Sequence, residues 1–316
     1  MENKKELNVI ICGVLKNGGK YLDNSISLAI QLGNKCNKYK IVIYENNSSD
    51  STKSILMKYK NDPNFMIIME DIDNDTIKRD SKIWANTKVT GSDHPCRIEQ
   101  ISNARNKLVS EFEKDIFNDY NLVVMIDLDT NQFLIDGILN SLELVNENPN
   151  QVIYANSIRY YDYYALRTSH SKFNLFGPEL VGEHFWSNMN KIPLSLHPNN
   201  NQLFSVYSAF NGIGVYHKNV FKRHRYNAMI TEDVKKVYND FIDKYPNVYQ
   251  YYKDIIHTDC SKSPGGIKDD DTMFYWKNNS GYDKPVICEH VSFNFSLIND
   301  GYKLYINPKM LYWWSN

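Results

Sequence analysis

Two carboxylates stand two positions apart directly after a short apolar run. The run Leu122–Ile126 is followed by Asp127 and Asp129, with Leu128 between them. A run so rich in β-branched residues and free of charge is typical of a buried central strand. Carboxylates at the carboxyl end of such a strand lie where open α/β sheets bind ligands. Because two carboxylates repel each other, the pair predicts a divalent cation held together with the oxygens of a diphosphate. A surface turn is the alternative, since aspartate favours turns.

Another carboxylate ends the second predicted strand. Glu45 follows the apolar run Ile41–Tyr44. At this place a carboxylate can accept hydrogen bonds from a ribose hydroxyl or from the N–H of a base. The residues that follow are rich in helix-capping types, so Ser49 or Asp50 would bind the first backbone N–H groups of a helix. The two interpretations use different residues and can hold together.

Two arginines, Arg97 and Arg105, lie about two turns apart on one predicted helix, Arg97–Phe112. A guanidinium suits bidentate binding of a diphosphate and, unlike an ammonium group, always stays charged. The alternative is that both arginines are solvated surface charges, which is the usual fate of this residue.

An acid and an imidazole adjoin at Glu289 and His290. The carboxylate could face a reacting hydroxyl or a sugar carbon, and the imidazole could complete the shell of a metal ion. A lone histidine is more often structural, which is the alternative for His290. The apolar pattern over positions 291–298 fits a strand and a helix equally well.

The segment 265–271 competes with Glu289 as the source of a general base. It reads Gly-Gly-Ile-Lys-Asp-Asp-Asp, so Asp269, Asp270 or Asp271 could supply the carboxylate. A flexible surface turn is the alternative reading of this segment, since like charges in a row prefer water.

Composition and charge restrict the class of protein. Hydrophobic residues make up 42% and charged residues 23% of the 316 residues, so a large core can form. The net charge is −1 and no basic stripe is present, which argues against nucleic acid as a partner. The 23 tyrosines, 14 phenylalanines and 5 tryptophans include rings that could line a carbohydrate site, although an AT-rich genome would also enrich tyrosine.

Cysteine usage and hydropathy bear on the compartment. The five cysteines are odd in number and show neither metal-ligand nor redox spacing, so reduced thiols are expected. The N-terminus lacks a signal-peptide pattern, and no apolar stretch approaches the roughly 18 residues that a membrane span needs. We therefore expect a cytoplasmic protein without a membrane span.

The elements that must position these residues alternate in the first half of the chain. Strands are predicted at Leu7–Val14, Tyr39–Tyr44 and Asn64–Met69, with helical periodicity near 22–30 and 52–59 between them. This β-α-β-α-β order predicts a parallel sheet with right-handed crossovers.

Later segments alternate less regularly. Residues 70–96 are predicted to form a loop or flap, Asp136 to cap a helix that runs through Val145, and Gln151–Tyr154 to form a strand. The rest has no clean alternation, apart from a helix-like piece near 232–245. We expect one α/β domain with an elaborated second half.

Together the motifs resemble those of nucleotide-sugar glycosyltransferases of the GT-A fold. The matching segments are Tyr44-Glu45-Asn46 through Ile55-Leu56, Asp127-Leu128-Asp129, and Glu289 followed by Gly301-Tyr302-Lys303. The resemblance implies a Rossmann-like, mostly parallel sheet flanked by helices, with an elaborated, mixed C-terminal half. It also implies a single domain over 1–316, with a nucleotide-binding half at 7–130 and an acceptor-binding half at 131–316.

A closer resemblance is to the capsule-associated mannosyltransferases of fungi. It spans about residues 8–310 and rests on Arg97-Ile98 with Arg105-Asn106, on 160–167, on 206–214, and on Glu289 with Tyr305-Ile-Asn-Pro308. The chain departs from this family in having Arg167-Thr168 for Arg-Asp, Ala209-Phe210-Asn211 for Cys-Trp-Asn, and Glu289-His290 for Glu-Cys. Residues 250–285 resemble an insertion. These departures affect the donor sugar and the acceptor more than the reaction class.

The resemblance implies a metal-dependent, retaining transfer of a hexose from GDP-mannose or a UDP-hexose to a saccharide or glycoprotein hydroxyl. Asp127, Asp129 and His290 would hold Mn²⁺ or Mg²⁺. The donor would contact Glu45, Arg97 and Arg105 as well as Asp127. Glu289 and Asp129 would be catalytic, and Asn211, Asp162 and Arg167 would contact the sugar or the acceptor.

Two other functions remain open. A sugar nucleotidyltransferase also uses paired carboxylates and a metal, but it should show a glycine-rich phosphate loop, of which Lys16-Asn17-Gly18-Gly19-Lys20 is a thin version. A non-catalytic sugar- or nucleotide-binding protein should have lost the Asp pair or the acidic motif, and both are present.

Overall fold

A single mixed sheet runs through both halves of the chain. The computed structural model describes residues 5–82, 95–181, 183–191, 194, 196–258 and 287–313. Its strands are β1 Lys5–Leu15, β2 Cys36–Asn46, β3 Phe65–Glu70, β4 Leu122–Ile126, β5 Gln132–Phe133, β6 Gln151–Asn156, β7 Phe204–Val206, β8 Ile213–His217 and β9 Lys303–Trp313.

Helices flank the sheet. They are α1 Leu22–Asn34, α2 Thr52–Met57, α3 Asn74–Asp80, α4 Pro95–Ser110, α5 Ile135–Glu147, α6 Pro178–Val181, α7 Glu183–Asn188, α8 Val220–Arg223, α9 Glu232–Lys244, α10 Pro246–Thr258 and α11 Glu289–Asn299. Short 3₁₀ turns lie at Glu111–Glu113, Asp115–Phe117 and Met189–Lys191. None of the helices in the described ranges is long and apolar enough to cross a membrane.

The order of the strands explains why one edge of the sheet collects the polar residues. The order is β3-β2-β1-β4-β8-β6-β9-β5, with β7 beside β9. Strands β1 to β4 are mutually parallel, and β8 runs against both β4 and β6. Strands β4, β6 and β9 therefore end at the same edge, where β8 begins. The predicted α/β fold with a mostly parallel sheet and a mixed second half is confirmed.

The core has two layers because successive side chains of a strand point to opposite faces. Ile10, Val42 and Met125 belong to the layer that includes Leu108 of α4. Val9, Ile41 and Val124 belong to the other layer, with residues of α1 and α5. The all-buried pattern of β4 follows, because this strand is covered on both faces.

Some predicted boundaries were wrong for local reasons. The predicted loop 70–96 contains α3, whose start is capped by Asp73 accepting from the Thr76 N–H at 2.8 Å. No residue of α3 is buried, so no apolar period marked it. Asp136 lies in the first turn of α5 rather than at its N-cap, which is Leu134. The ambiguous pattern over 291–298 is helical, within α11.

Candidate active site

Three acidic side chains come together at the carboxyl edge of the sheet. Asp127 follows β4, Asp162 lies in the segment after β6, and Glu289 is the first residue of α11. Helix α11 returns the chain to the start of β9, so its N-terminus lies at the edge where the parallel strands end. Burial raises the pKa of Asp162, and the charge of Glu289 adds to the rise. Burial also raises the pKa of Asp127, and the charges of Asp162 and Glu289 add to that rise.

Arg105 lies between two of these acids. Its Nη2 atom is 3.2 Å from Oδ1 of Asp127, and its Nε atom is 3.5 Å from Oε1 of Glu289. The guanidinium carbon lies 4.9 Å from the ring centre of Phe210 and 5.6 Å from that of Tyr226. Burial disfavours the charged guanidinium, but Asp127 and Glu289 raise the pKa of Arg105 above its ordinary value. The cation therefore ties α4 to the ends of β4 and α11.

The residue after Arg105 fixes one of the two rings. Asn106 donates to the Tyr226 carbonyl and accepts from the Tyr226 N–H, each at 2.8 Å. This reciprocal pair holds the segment after α8 against α4. Phe210 and Tyr226 were not among the predicted site residues, because they lie far from Arg105 in the sequence. The one available signal was that Phe210 stands where the resembled family has tryptophan.

Asp127 is held through its backbone as well as its side chain. Its N–H donates to the Gly212 carbonyl at 2.9 Å, and the Tyr312 hydroxyl donates to its carbonyl at 3.2 Å. Gly212 has a φ of +87°, and a Cβ there would meet the Tyr312 ring at 2.4 Å, so this turn requires glycine. The backbone of the first predicted metal ligand is thus anchored to the turn before β8 and to β9.

The two aspartates of the pair differ in environment. The Asp127 side chain is 28% exposed, whereas Asp129 is exposed and Leu128 between them is buried. Burial raises the pKa of Asp127 to about 7, Arg105 acts against that rise, and the charge of Asp129 adds to it. The charge of Asp129 thus disfavours the ionised form of Asp127, which is a situation that a cation relieves.

The fit of a divalent ion can be judged from this donor set. In the described ranges, no three His, Cys, Asp or Glu side chains converge as a metal site. Mg²⁺ is usually held by only one or two carboxylates, with substrate phosphate and water completing its shell. Asp127 and Asp129 are two carboxylates, the number that such a partial shell requires.

His290 does not join the aspartate pair. Its ring stacks on Phe210 with centroids 3.8 Å apart, and both ring nitrogens are buried without hydrogen-bond partners. Burial, with the charge of Arg105, holds the pKa of His290 well below its usual range. His290 is therefore a neutral ring of the core, and we leave it out of the proposed metal shell.

Glu45 lies at the end of β2 as predicted, but its carboxylate is fully buried. Oε1 accepts from the Ser48 N–H at 2.7 Å, and Oε2 has no partner. Asp50 serves the start of α2 by accepting from the Thr52 N–H at 3.0 Å, as the capping interpretation predicted. It also accepts from the Gly19 N–H at 2.9 Å, which joins the loops after β1 and β2. The Glu45 carboxylate thus binds the backbone of its own loop through one oxygen, and the other oxygen is buried without a partner.

Two other predicted contacts lie in different surroundings. Arg97 is exposed in the first turn of α4, about two turns before Arg105. Asn211 is fully buried with a φ of 52°, and its N–H donates to Oδ2 of Asp162 at 3.1 Å. Asn211 thus supports Asp162 instead of facing a substrate. Burial raises the pKa of Asp162 to about 6, the Asn211 N–H lowers it, and Glu289 raises it.

The prediction that Arg167 contacts a substrate does not agree with its surroundings. Arg167 is fully buried, and its Nη2 atom donates to both oxygens of Glu179, at 2.9 and 3.1 Å. Nε donates to the Tyr238 hydroxyl, and Nη1 to the carbonyls of Tyr164 and Leu166. Every nitrogen of the guanidinium is occupied, so Arg167 is a structural residue of the second half. The competing acids Asp269–Asp271 lie outside the described residues.

Comparison with known proteins gives one family. The sequence model described as cryptococcal mannosyltransferase 1 matches residues 15–240, well over half of the 316-residue chain. The match includes Glu45, Arg105, Asp127 and Asp162, and it ends before Glu289. No curated protein matches the chain.

Several solved structures are similar to the chain. GalNAc-T7 with UDP, GalNAc and Mn²⁺ is 10% identical, with 98% of this chain and 44% of that chain covered, at a TM-score of 0.49. The mannosyltransferase PcManGT from Pyrobaculum calidifontis, with GDP-Man and Mn²⁺, is 12% identical, with 71% of this chain and 48% of that chain covered, at a TM-score of 0.37. S. aureus TarS 1-349 with UDP-GlcNAc is 10% identical, with 98% of this chain and 58% of that chain covered, at a TM-score of 0.41. The chain spans about half the length of these structures.

Proposed function

Because the chain belongs to the family of cryptococcal mannosyltransferase 1, we propose that it transfers a hexose from a nucleoside-diphosphate sugar to a saccharide or glycoprotein hydroxyl. The observation that carries the proposal is the convergence of Asp127, Arg105 and Glu289 at the carboxyl edge of the sheet. The family name favours GDP-mannose as donor, with a UDP-hexose as the alternative.

Asp127 and Asp129 are proposed to hold Mn²⁺ or Mg²⁺ beside the donor diphosphate. When bound, the ion would neutralise the charge that develops on the departing diphosphate. Asp129 is exposed, so it can approach a ligand without a change in the core. Asp127 is fixed by Gly212 and Tyr312, so it can set the position of the diphosphate.

Arg105 is proposed to act mainly by position. Its guanidinium is buried and already binds two carboxylates, so it holds Asp127 and Glu289 at a fixed separation. Its Nη1 atom is buried without a hydrogen-bond partner. Exposed Arg97 is the second proposed contact for the diphosphate, and Glu45 the proposed contact for the base or ribose.

Glu289 is proposed to orient the acceptor hydroxyl, with Asp162 near it. We propose retention of the anomeric configuration, in which the leaving phosphate oxygen accepts the proton of the acceptor. Glu289 would then stabilise positive charge on the sugar and need not act as a strong base. If the product is inverted, Glu289 becomes the general base.

The test combines hydrolysis and transfer. The purified chain would be incubated with GDP-mannose, UDP-glucose, UDP-galactose or UDP-GlcNAc, with Mn²⁺ or with a chelator, and the release of nucleoside diphosphate measured. We expect Mn²⁺-dependent release from one donor, and NMR of the transferred sugar to show the donor's anomer. Release from no donor would contradict the proposal. Pyrophosphate release from a nucleoside triphosphate and a sugar phosphate would identify a nucleotidyltransferase instead.

A further inference from the structure

The buried guanidinium of Arg105 is held by few hydrogen bonds. Its Nη2 atom donates to Asp127 at 3.2 Å, whereas its Nε and Nη1 atoms are buried without hydrogen-bond partners. Nε lies 3.5 Å from Oε1 of Glu289, which is an ion-pair distance without a hydrogen bond. The buried arginine Arg167 differs, since all three of its nitrogens donate hydrogen bonds. Hydrogen bonds alone therefore do not fix the place of the Arg105 guanidinium.

Two aromatic rings lie against this guanidinium. Its carbon is 4.9 Å from the ring centre of Phe210 and 5.6 Å from that of Tyr226. Both distances are within about 6 Å, the range of cation–π attraction, and this attraction is strongest where the cation is removed from water. Arg105 is buried, so water competes little for its charge. The two rings thus stabilise the cation and limit where it can lie.

Each of these inner rings is held by an outer ring of α11. His290 stacks on Phe210 with ring centres 3.8 Å apart and an angle of 17° between the planes. Phe293 stacks on Tyr226 at 4.3 Å and 12°. The rings of His290 and Tyr226 meet edge-on at 5.6 Å, which joins the two stacks. All four rings are buried, so none can turn aside without disturbing a close-packed core. We call these four rings the aromatic cage.

The aromatic cage is built into the segments that carry the two acids. Glu289 is the first residue of α11, the helix that supplies both outer rings. Phe210 lies two residues before Gly212, whose carbonyl accepts from the Asp127 N–H at 2.9 Å. A change in the cage would therefore move Arg105 relative to both carboxylates.

We infer that Phe210 and Tyr226 are positioning residues for the proposed transfer and that they act through Arg105. By fixing the guanidinium, the rings set the separation of the carboxylates of Asp127 and Glu289. Both rings are buried, so their effect on the reaction passes through the arginine. This inference rests on the proposed function.

The first test replaces an inner ring by an aliphatic side chain. Phe210→Leu keeps apolar bulk but removes the π face, so we expect kcat to fall about tenfold, the size of one desolvated cation–π contact. The donor KM should change little. Tyr226→Leu should have a similar effect, whereas Tyr226→Phe, which keeps the ring, should lose much less. The matched control is Phe117→Leu, because Phe117 is a buried ring of the same core layer in the 3₁₀ turn before β4. It should lose stability but keep the kcat of wild type.

A double-mutant cycle separates positioning from a general loss of packing. If Phe210 acts through Arg105, Phe210→Leu should lower kcat only slightly further in an Arg105→Gln background, where the ring has no cation to hold. Equal effects of Phe210→Leu in the two backgrounds would overturn the inference. A fall of kcat in Phe117→Leu as large as that in Phe210→Leu would overturn it as well.

NMR tests the aromatic cage without any activity. The Nε–H signal of Arg105, assigned by its loss in Arg105→Gln, is subject to the ring current of Phe210. We expect this signal to move in Phe210→Leu and to keep its position in Phe117→Leu. An unmoved signal in Phe210→Leu would overturn the inference. A moved signal together with absence of donor turnover in the wild type would count against the proposed function alone.

Discussion

The Arg105 guanidinium and the Asp127 carboxylate form an ion pair of 3.2 Å across two elements, from the third turn of α4 to the end of β4. The arginine is buried and the aspartate is 28% exposed, so only the acid faces the open side. A fixed positive charge thus stands behind the carboxylate that is proposed to bind the metal ion. Removal of the Arg105 charge should therefore change the site more than it changes the fold.

Arg105→Lys keeps the positive charge but loses the planar fork that reaches both Asp127 and Glu289. We expect kcat to fall about 10²–10³-fold, the range for the loss of one preorganised group. The donor KM should change less, because Asp127 and Asp129 still hold the proposed metal ion that binds the diphosphate. Arg79→Lys, an exposed exchange in α3, should behave as wild type. A kcat of Arg105→Lys equal to that of wild type would show that the fork is not used.

Asp129→Asn should separate function from stability. Because Asp129 is exposed, we expect the free energy of unfolding to change by no more than about 0.5 kcal/mol. The transfer rate should fall about 10²–10³-fold, since a charged group at the diphosphate is lost. Urea unfolding and initial rates measure the two effects. Asp240→Asn, an exposed acid on α9, should change neither, and an active Asp129→Asn would remove Asp129 from the site.

Asp162 gives a pH dependence of stability. Its pKa is raised by burial to about 6 from an ordinary value of 3.8, so the folded protein binds its proton more tightly than the unfolded chain. The sign follows from linkage: the contribution of Asp162 to stability falls as the pH rises from about 4 to about 6 and is then constant. We expect the stability of wild type minus that of Asp162→Asn to fall over this window. Unfolding by urea at several pH values checks this, and a flat difference would mean that the pKa of Asp162 is ordinary.

Glu179→Gln should test the structural role of Arg167. The pair is fully buried, and breaking such a pair leaves an uncompensated charge, at a cost of about 3–5 kcal/mol. Asp119→Asn, which breaks the exposed pair with Lys38, should cost about 1 kcal/mol or less. Denaturant unfolding of both variants gives the comparison. If Glu179→Gln changes the free energy of unfolding only slightly, the structural role of Arg167 is contradicted.

The sequence predicted best those elements whose signal is local. The unbroken apolar run of β4 identified the central strand, because a strand covered on both faces must be apolar throughout. Helix α3 was missed, since a short exposed helix stabilised by its Asp73 cap has no apolar period. Local pattern therefore describes buried elements better than exposed ones.

The surroundings of the site residues could not be predicted from the sequence. Arg105 meets Phe210, Tyr226 and Glu289 through contacts that span more than a hundred residues, and no local pattern encodes such pairs. For the same reason, the sequence did not show that Arg105 and Arg167 have different surroundings. Arg105 and Arg167 both carry family motifs, but one borders the open edge of the sheet and the other lies wholly within the core.

The most direct measurement of the central claim is calorimetric titration of GDP-mannose, and in parallel of a UDP-hexose panel, with and without Mn²⁺. The same titrations would be made with Asp127→Asn/Asp129→Asn. We predict that one donor binds the wild type at least about tenfold more tightly with Mn²⁺, and that the double variant loses this gain. Equal affinity with and without the ion, or an undiminished gain in the double variant, would contradict a metal-held diphosphate at the end of β4.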